Sequence, residues 1–241
     1  MKEIRLLHTA DVHLDRSFSG YPGNKGTLRR NDIRDKFQQV MRLAEQENSD
    51  VLLIAGDLFD TNSPSRSTVE LVKSEFEKLK SKDIRVFITP GTHDCLEGGS
   101  VWNAVEFPEN VHVFKSENFS CVSVPGLNLT VYGAADETGN SDRRIMKSLS
   151  IDRSNAYENI VVMVHGSVQL PWLKNDNYFP ISREELNAAE AAYVALGITI
   201  LIILLTQEQR RHIPARRYSL ILRKTGRSTC SWQGFPEMRL K

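Results

Sequence analysis

The chain has 241 residues, 40% hydrophobic and 25% charged, with a formal net charge of +1. That is enough chain for one large domain, or a domain with an appendage, of ordinary globular composition. The near-zero balance removes any bulk-charge argument for nucleic acid or an acidic substrate, and three cysteines without metal-like spacing suit a reducing compartment better than a disulfide framework.

In chain order, Ile4 to His8 reads as a first strand that runs into Thr9-Ala10-Asp11-Val12-His13-Leu14. It begins so close to Met1 that no signal peptide fits ahead of it, so a reducing, cytoplasmic setting is expected. Asp11 and His13, two apart just past a strand end, pair a carboxylate with an imidazole. That pair suits a divalent ion such as manganese, iron or zinc. His8 lies inside the strand and reads as a packed, hydrogen-bonded residue. The stretch from 16 to 30, with Arg16, Lys25, Arg29 and Arg30, reads as a solvated loop or as a phosphate-backbone contact. From Arg30 to Asn48, apolar residues at helical spacing (Ile33, Phe37, Val40, Met41, Ala44) predict an amphipathic helix packed on a sheet.

Val51-Leu52-Leu53-Ile54-Ala55 is an unbroken apolar run, the mark of a buried parallel strand. Gly56 lets the backbone turn, and Asp57 then projects into the crevice where open α/β sheets hold their ligands. Ser63-Pro64 predicts a helix start, with Val69, Val72, Phe76 and Leu79 on its inner face. Ile84 to Ile88 is a third strand, followed by Thr89-Pro90-Gly91-Thr92-His93-Asp94. Val111 to Phe114, Phe119 to Val124 and Leu127 to Tyr132 alternate like antiparallel strands. Asn159 to Val164 is another buried strand, ending at His165-Gly166-Ser167. Ser182-Arg183-Glu184-Glu185 has capping-box spacing, and Ala192 to Gly197 is a further strand.

Asp11, His13, Asp57, His93 and His165 thus follow four separate apolar strands. One such residue could arise by chance; four strand ends together point to a two-metal hydrolytic site with ions ~3.5–4 Å apart. Asp57, on the central strand, is the natural bridging carboxylate, and a histidine near the departing oxygen would supply its proton.

The order Asp11-x-His13, Gly56-Asp57, Gly91-Thr92-His93-Asp94 and His165-Gly166 resembles the calcineurin-like metallophosphoesterases. The fuller wording, His8-Thr9-Ala10-Asp11-Val12-His13-Leu14 with Ala55-Gly56-Asp57-Leu58-Phe59-Asp60, is similar to the SbcD-type DNA repair exonucleases within that family. The resemblance covers residues 2 to 197. It implies an α/β fold, a four-layer sandwich of two mixed sheets flanked by helices, incomplete at its C-terminus. It also implies two divalent metal ions, with manganese their expected identity. Asp11 and His13 would bind the first ion, Asp57 would bridge, and His165 would bind the second. His93 would contact the scissile phosphate and Asp94 would hold His93 in its tautomer. The partners implied are DNA and an SbcC-like ATPase; a homodimer stays open, and no membrane is involved.

Two departures qualify this. Thr92 stands where the family has asparagine, putting a hydroxyl where an amide oxygen would serve as a metal ligand. After Gly197 the family carries Gly-x-His-x-His, whereas this chain continues Ile198-Thr199-Ile200, and His212 is alone. Ile198 to Leu205 is too short to span a membrane and could be a buried strand. The segment with Arg210, Arg211, Arg216, Arg217, Arg223, Lys224 and Arg227 could be a basic patch. A shifted reading frame accounts for both better. Deleting one base at the Gly/His boundary of GGN CAY TAY CAY leaves codons AYT, AYC and AYN, which encode only isoleucine, threonine or methionine. Shifting back through His212-Ile213-Pro214-Ala215-Arg216-Arg217 permits Tyr-Ser-Gly-Ser-Pro, a segment that SbcD-type enzymes carry downstream. The expected organisation is a phosphoesterase domain over 1–197 and an aberrant tail over 198–241. The expected activity is metal-dependent phosphodiester hydrolysis on DNA, impaired by the missing histidines. The alternatives are an inactive binding module of the same fold and a phosphatase for small esters.

Overall fold

The computed structural model describes residues 4–139, 141–154, 156–169 and 178–197, and the backbone of 219–222. The first half alternates strand and helix: β1 (Arg5–Thr9), α1 (Lys25–Gln46), β2 (Val51–Ala55), α2 (Arg66–Lys80), β3 (Arg85–Thr89), the short α3 (Val101–Ala104) and β4 (Val111–Val113). A second group follows: β5 (Ser120–Val124), β6 (Leu129–Gly133), β7 (Asn159–Val164), α4 (Arg183–Ala188) and β8 (Tyr193–Leu196), with β9 (Ser219–Leu222) last.

Two sheets result, ordered β4-β3-β2-β1-β9 and β5-β6-β7-β8. The first is parallel throughout, with Leu7 opposite Leu52 and Leu53 opposite Phe87. The second is mixed: β5 runs antiparallel to β6, while β6, β7 and β8 are parallel. Two expectations are corrected here. The first sheet is not mixed, and the Val111–Phe114 stretch is not antiparallel, because β4 adds to β3 in parallel across Val86↔Val111. Alternation shows which face a strand buries but not which neighbour it chooses.

Side-chain alternation explains why β2, between two layers, is apolar on every residue. In β2, Leu52 and Ile54 pack with Phe37, Val40 and Met41 of α1 and Val72, Phe76 and Leu79 of α2. Val51, Leu53 and Ala55 point the other way, toward Leu129, Val131, Val161 and Met163 of the second sheet. Ile160, Val162 and Val164 of β7 face outward onto Leu186 of α4. The layers are therefore helix, sheet, sheet, helix. Emptying one of the fully buried aromatics, Phe76 for example, would cost about 3–5 kcal/mol.

The helix ends differ from the sequence reading. α1 begins earlier than Arg30, at Lys25, where buried Gly26 lets the helix pack beneath the Phe18 backbone. α2 is capped by Ser65, whose side chain accepts from the Thr68 N–H, and not by Ser63. The Ser65 N–H is itself held by Asp15 Oδ2 at 2.6 Å, which fixes that residue outside the helix. The capping box at Ser182 forms as its spacing predicts. His8 crosses between sheets, its Nδ1 lying 2.8 Å from the Tyr193 hydroxyl. Ile198 to Leu205, His212 and the basic tail segment lie outside the described residues.

Candidate metal centre

The site grows out of the ends of β1 and β2, which stay paired after both strands lose regular geometry. The Asp11 N–H donates to the Gly56 carbonyl (3.1 Å), His13 to Asp57 (3.0 Å) and Leu14 to Leu58 (2.9 Å), and Asp60 donates back to Leu14 (2.8 Å). To turn while paired, Asp11, His13 and Asp57 take left-handed φ of 52°, 54° and 51°. Such strain persists only where the surroundings over-determine it, and it gathers at functional sites. It sends three ligand-type side chains toward one point.

Asp57 is the hub. Its Oδ1 accepts from the His93 N–H (2.9 Å) and its Oδ2 from the Thr92 hydroxyl (3.2 Å). His165 Nε2 stands 3.4 Å and His13 Nε2 3.8 Å from the same Oδ2. The ligand-type atoms of Asp11, Asp57 and His165 lie within 4.8 Å of one another, and so do those of His13, Asp57 and His93. Asp57 belongs to both groups. Asp11 and His165 complete one group and His13 and His93 the other.

These residues fit divalent cations on a direct test. His165 is buried, and its Nδ1 is 2.9 Å from the Ala55 carbonyl, to which it donates. That leaves Nε2 facing the carboxylate with no properly aligned hydrogen-bond partner. A buried imidazole nitrogen presented in this way, with its other nitrogen tied to a carbonyl, is how histidine is prepared as a metal ligand. Glycines make the space. A Cβ on Gly56 or Gly197 would strike the His165 ring, and one on Gly91 would strike the Asp57 carboxylate.

The electrostatics agree. Burial pushes the Asp57 carboxyl upward, but His165, the His93 N–H and His13 outweigh it and hold the group well below the usual carboxylate range. Burial alone would lower His165; facing Asp57, with Asp11 beyond, it is raised to about 9. His13 is lowered by its burial, against the pull of Asp57.

Asp94 departs from its expected role. It is fully buried, and both oxygens are taken by backbone: Oδ1 by the Gly91 N–H (2.7 Å) and Oδ2 by the Phe59 N–H (3.0 Å). Burial, then the charge of Asp57, raise its pKa to about 7. The carboxylate beside the His93 ring is Asp60, whose Oδ1 is 3.7 Å from His93 Nδ1 and 2.9 Å from His13 Nδ1. The carboxylate that faces both rings is therefore Asp60, whereas Asp94 faces inward and splints the two loops. The 2.9 Å approach to His13 lacks hydrogen-bond alignment.

Sequence reasoning assigned no role to Asp60, although its place three residues after Asp57 offered a signal. It also passed over Asp136 and Tyr178. The Tyr178 hydroxyl donates to Asp136 Oδ2, and its ring packs edge-on against His165 at 5.9 Å. Burial and Asp136 push the Tyr178 phenol up. Nothing local in the sequence marks this pair.

A family model described as calcineurin-like phosphoesterase matches residues 4–197. The chain is 29% identical over 205 residues to the "Uncharacterized metallophosphoesterase YhaO" of Bacillus subtilis, covering 82% of this chain and 48% of that protein. It is 34% identical over 168 residues to the "DNA double-strand break repair protein Mre11" of Saccharolobus solfataricus, covering 69% of this chain and 42% of the relative. It is 36% identical over 104 residues to the D component of the SbcCD nuclease of Staphylococcus saprophyticus, covering 41% and 26%. The chain thus spans less than half the length of each of these relatives.

Proposed function

Because the chain belongs to the calcineurin-like phosphoesterase family, we propose that it hydrolyses phosphodiester bonds in DNA, using two divalent cations, manganese in the cell, to both of which Asp57 would be a ligand. The observation that carries this reading is the membership of Asp57 in both ligand groups. The similarity to Mre11 and to the SbcCD nuclease component supports DNA as the substrate class.

Asp11, His13, Asp57 and His165 would hold the cations. Thr92 would add its hydroxyl oxygen, since the hydrogen is spent on Asp57 and the lone pairs stay available. When bound, such cations lower the pKa of a water and neutralise phosphate charge. The protein's own groups do the rest. Ala55 fixes the His165 ring through Nδ1, so only Nε2 is offered. Asp60 attracts Nδ1 of both His13 and His93, which turns each ring's far nitrogen away from it. His93, half exposed at the rim, would touch the phosphate and hold a proton at Nε2 for the leaving oxygen.

In the same reading, DNA work proceeds in the cytoplasm with an SbcC-like ATPase partner. Among the described residues no helix is long and apolar enough to cross a membrane. Residues 198–241 are proposed to be a frame-shifted tail that leaves the site two imidazoles short. This favours a second reading, an inactive DNA-binding module, because Ile198-Thr199-Ile200 stand where ligands are expected. Calorimetric titration with manganese, run beside hydrolysis of a DNA duplex, decides between them. Two ions per chain with turnover supports the enzyme, and tight DNA binding without turnover supports the module. Asp57→Asn should lower turnover by roughly a hundredfold or more and remove at least one ion. Full activity in that variant would overturn the assignment.

A further inference from the structure

The loop between β1 and α1 carries features that the metal centre does not use. Arg16 follows His13 closely, its N–H donating to the His13 carbonyl at 3.3 Å. Its Nη1 lies 3.9 Å from Asp60 Oδ1, the oxygen that also faces His13 and His93. The guanidinium carbon stands 5.9 Å from the centre of the Phe18 ring, within cation–π reach. Phe18 in turn meets Tyr21 edge-on, centroids 5.5 Å apart. Tyr21 is 48% exposed, and it and Leu28, at 53%, are the exposed large apolar side chains among the described residues. A guanidinium and two rings thus run outward from the rim of the metal centre.

This loop is held in place. Phe18 has φ 47°, a strained value for a bulky residue. The strain is enforced by several contacts: the Tyr21 N–H donates to the Phe18 carbonyl (3.1 Å), and Arg30 Nη1 donates to the Ser17 carbonyl (2.9 Å). Gly26 closes from below, where an added Cβ would come 3.0 Å from Phe18 O.

We propose that Arg16, Phe18 and Tyr21 form a seat for one unpaired nucleotide beside the metal centre, the guanidinium taking its phosphate and the Tyr21 ring its base. Guanidinium geometry matches phosphate oxygens, and base–aromatic stacking tolerates any sequence because every base has a π-face. Base pairs in a duplex hide those faces, so the occupant is a single strand or a frayed end. The inference rests on the hydrolase reading above and narrows its substrate: the strand entering the centre is unpaired next to the bond to be cut.

The test uses the full chain and two phosphorothioate strands of equal length that resist cleavage, an oligothymidylate and its abasic counterpart. Binding is read by fluorescence anisotropy, and hydrolysis of ordinary strands is followed separately. The wild-type chain should prefer the base-bearing strand by about tenfold. Tyr21→Ala should bring that preference close to one and Tyr21→Trp should restore it; a merely structural role for the ring would not track the presence of bases. Arg16→Gln should weaken both strands and flatten the salt dependence by about 0.7 in log–log slope. If Tyr21→Ala melts early, Tyr21→Leu gives the same reading. A wild-type chain without preference, or a folded Tyr21 variant that keeps it, overturns the seat. Preference without phosphodiester hydrolysis keeps the seat and removes the hydrolase reading; hydrolysis without preference does the reverse.

Discussion

Asp60 and Asp94 sit on neighbouring loops and act on different things. Asp60 faces two imidazoles, whereas Asp94 faces two backbone N–H groups. Asp60→Asn should therefore cut phosphodiester turnover about 10–100-fold while the urea midpoint stays put. Asp94→Asn puts an NH2 group against a buried N–H, and the stability loss should be about 1–3 kcal/mol, read in the same denaturation series. If the two variants exchange phenotypes, the geometry has been misassigned. Asp11, His13, Asp57 and His165 stand out in the sequence because each lies just past an apolar strand, and the structure brings their ligand-type atoms into the two groups around Asp57. Asp60 was less legible, because only the ring positions of His13 and His93 give it a role. Asp136 and Tyr178 were not legible at all, being brought together from segments far apart in the chain.

Between elements, the contact with a testable energy is the one from β1 to β8. His8 is fully buried against Tyr193, and burial lowers its pKa from 6.5 to about 4. The unfolded chain takes up a proton on this residue near pH 6.5 that the folded chain refuses until about pH 4. Stability from this group is therefore complete above about pH 6.5 and is lost as the pH falls toward about 4, by up to roughly 3 kcal/mol. Urea unfolding at about pH 7 and about pH 4.5 should show a steeper acid loss in wild type than in His8→Gln; equal slopes would refute the assignment. Element type was readable from apolar runs and helical spacing, and β7 was bounded as expected. Pairing partners were not readable: β4 is three residues long, too short for alternation to say that it joins β3. Nor does an N-cap motif reveal that Asp15 has already claimed the Ser65 backbone.

For the molecule as a whole, the two sheets converge on a carboxylate-rich centre that is costly without a counter-charge. Manganese at ~100-fold over its dissociation constant should raise unfolding stability by about 2.7 kcal/mol, EDTA should reverse this, and Asp57→Asn should lose the effect. An unchanged melting curve with the ion present would argue against binding. The α/β layering followed from sequence pattern. The closeness of the two ligand groups did not, since it depends on how far the sheets approach. Glycines leave room for it: Gly56 after β2 and Gly197 after β8 lie against the His165 ring from both sheets, and Gly91 backs Asp57. In a saturation-mutagenesis map scored by phosphodiesterase output, these three rows should tolerate no substitution, alanine included. They would be as barren as the row for Asp57, although a glycine donates nothing to a cation. A screen for active-site residues that ranks candidates by chemistry would pass them over, and one that ranks them by intolerance would recover the shape of the pocket from its empty spaces.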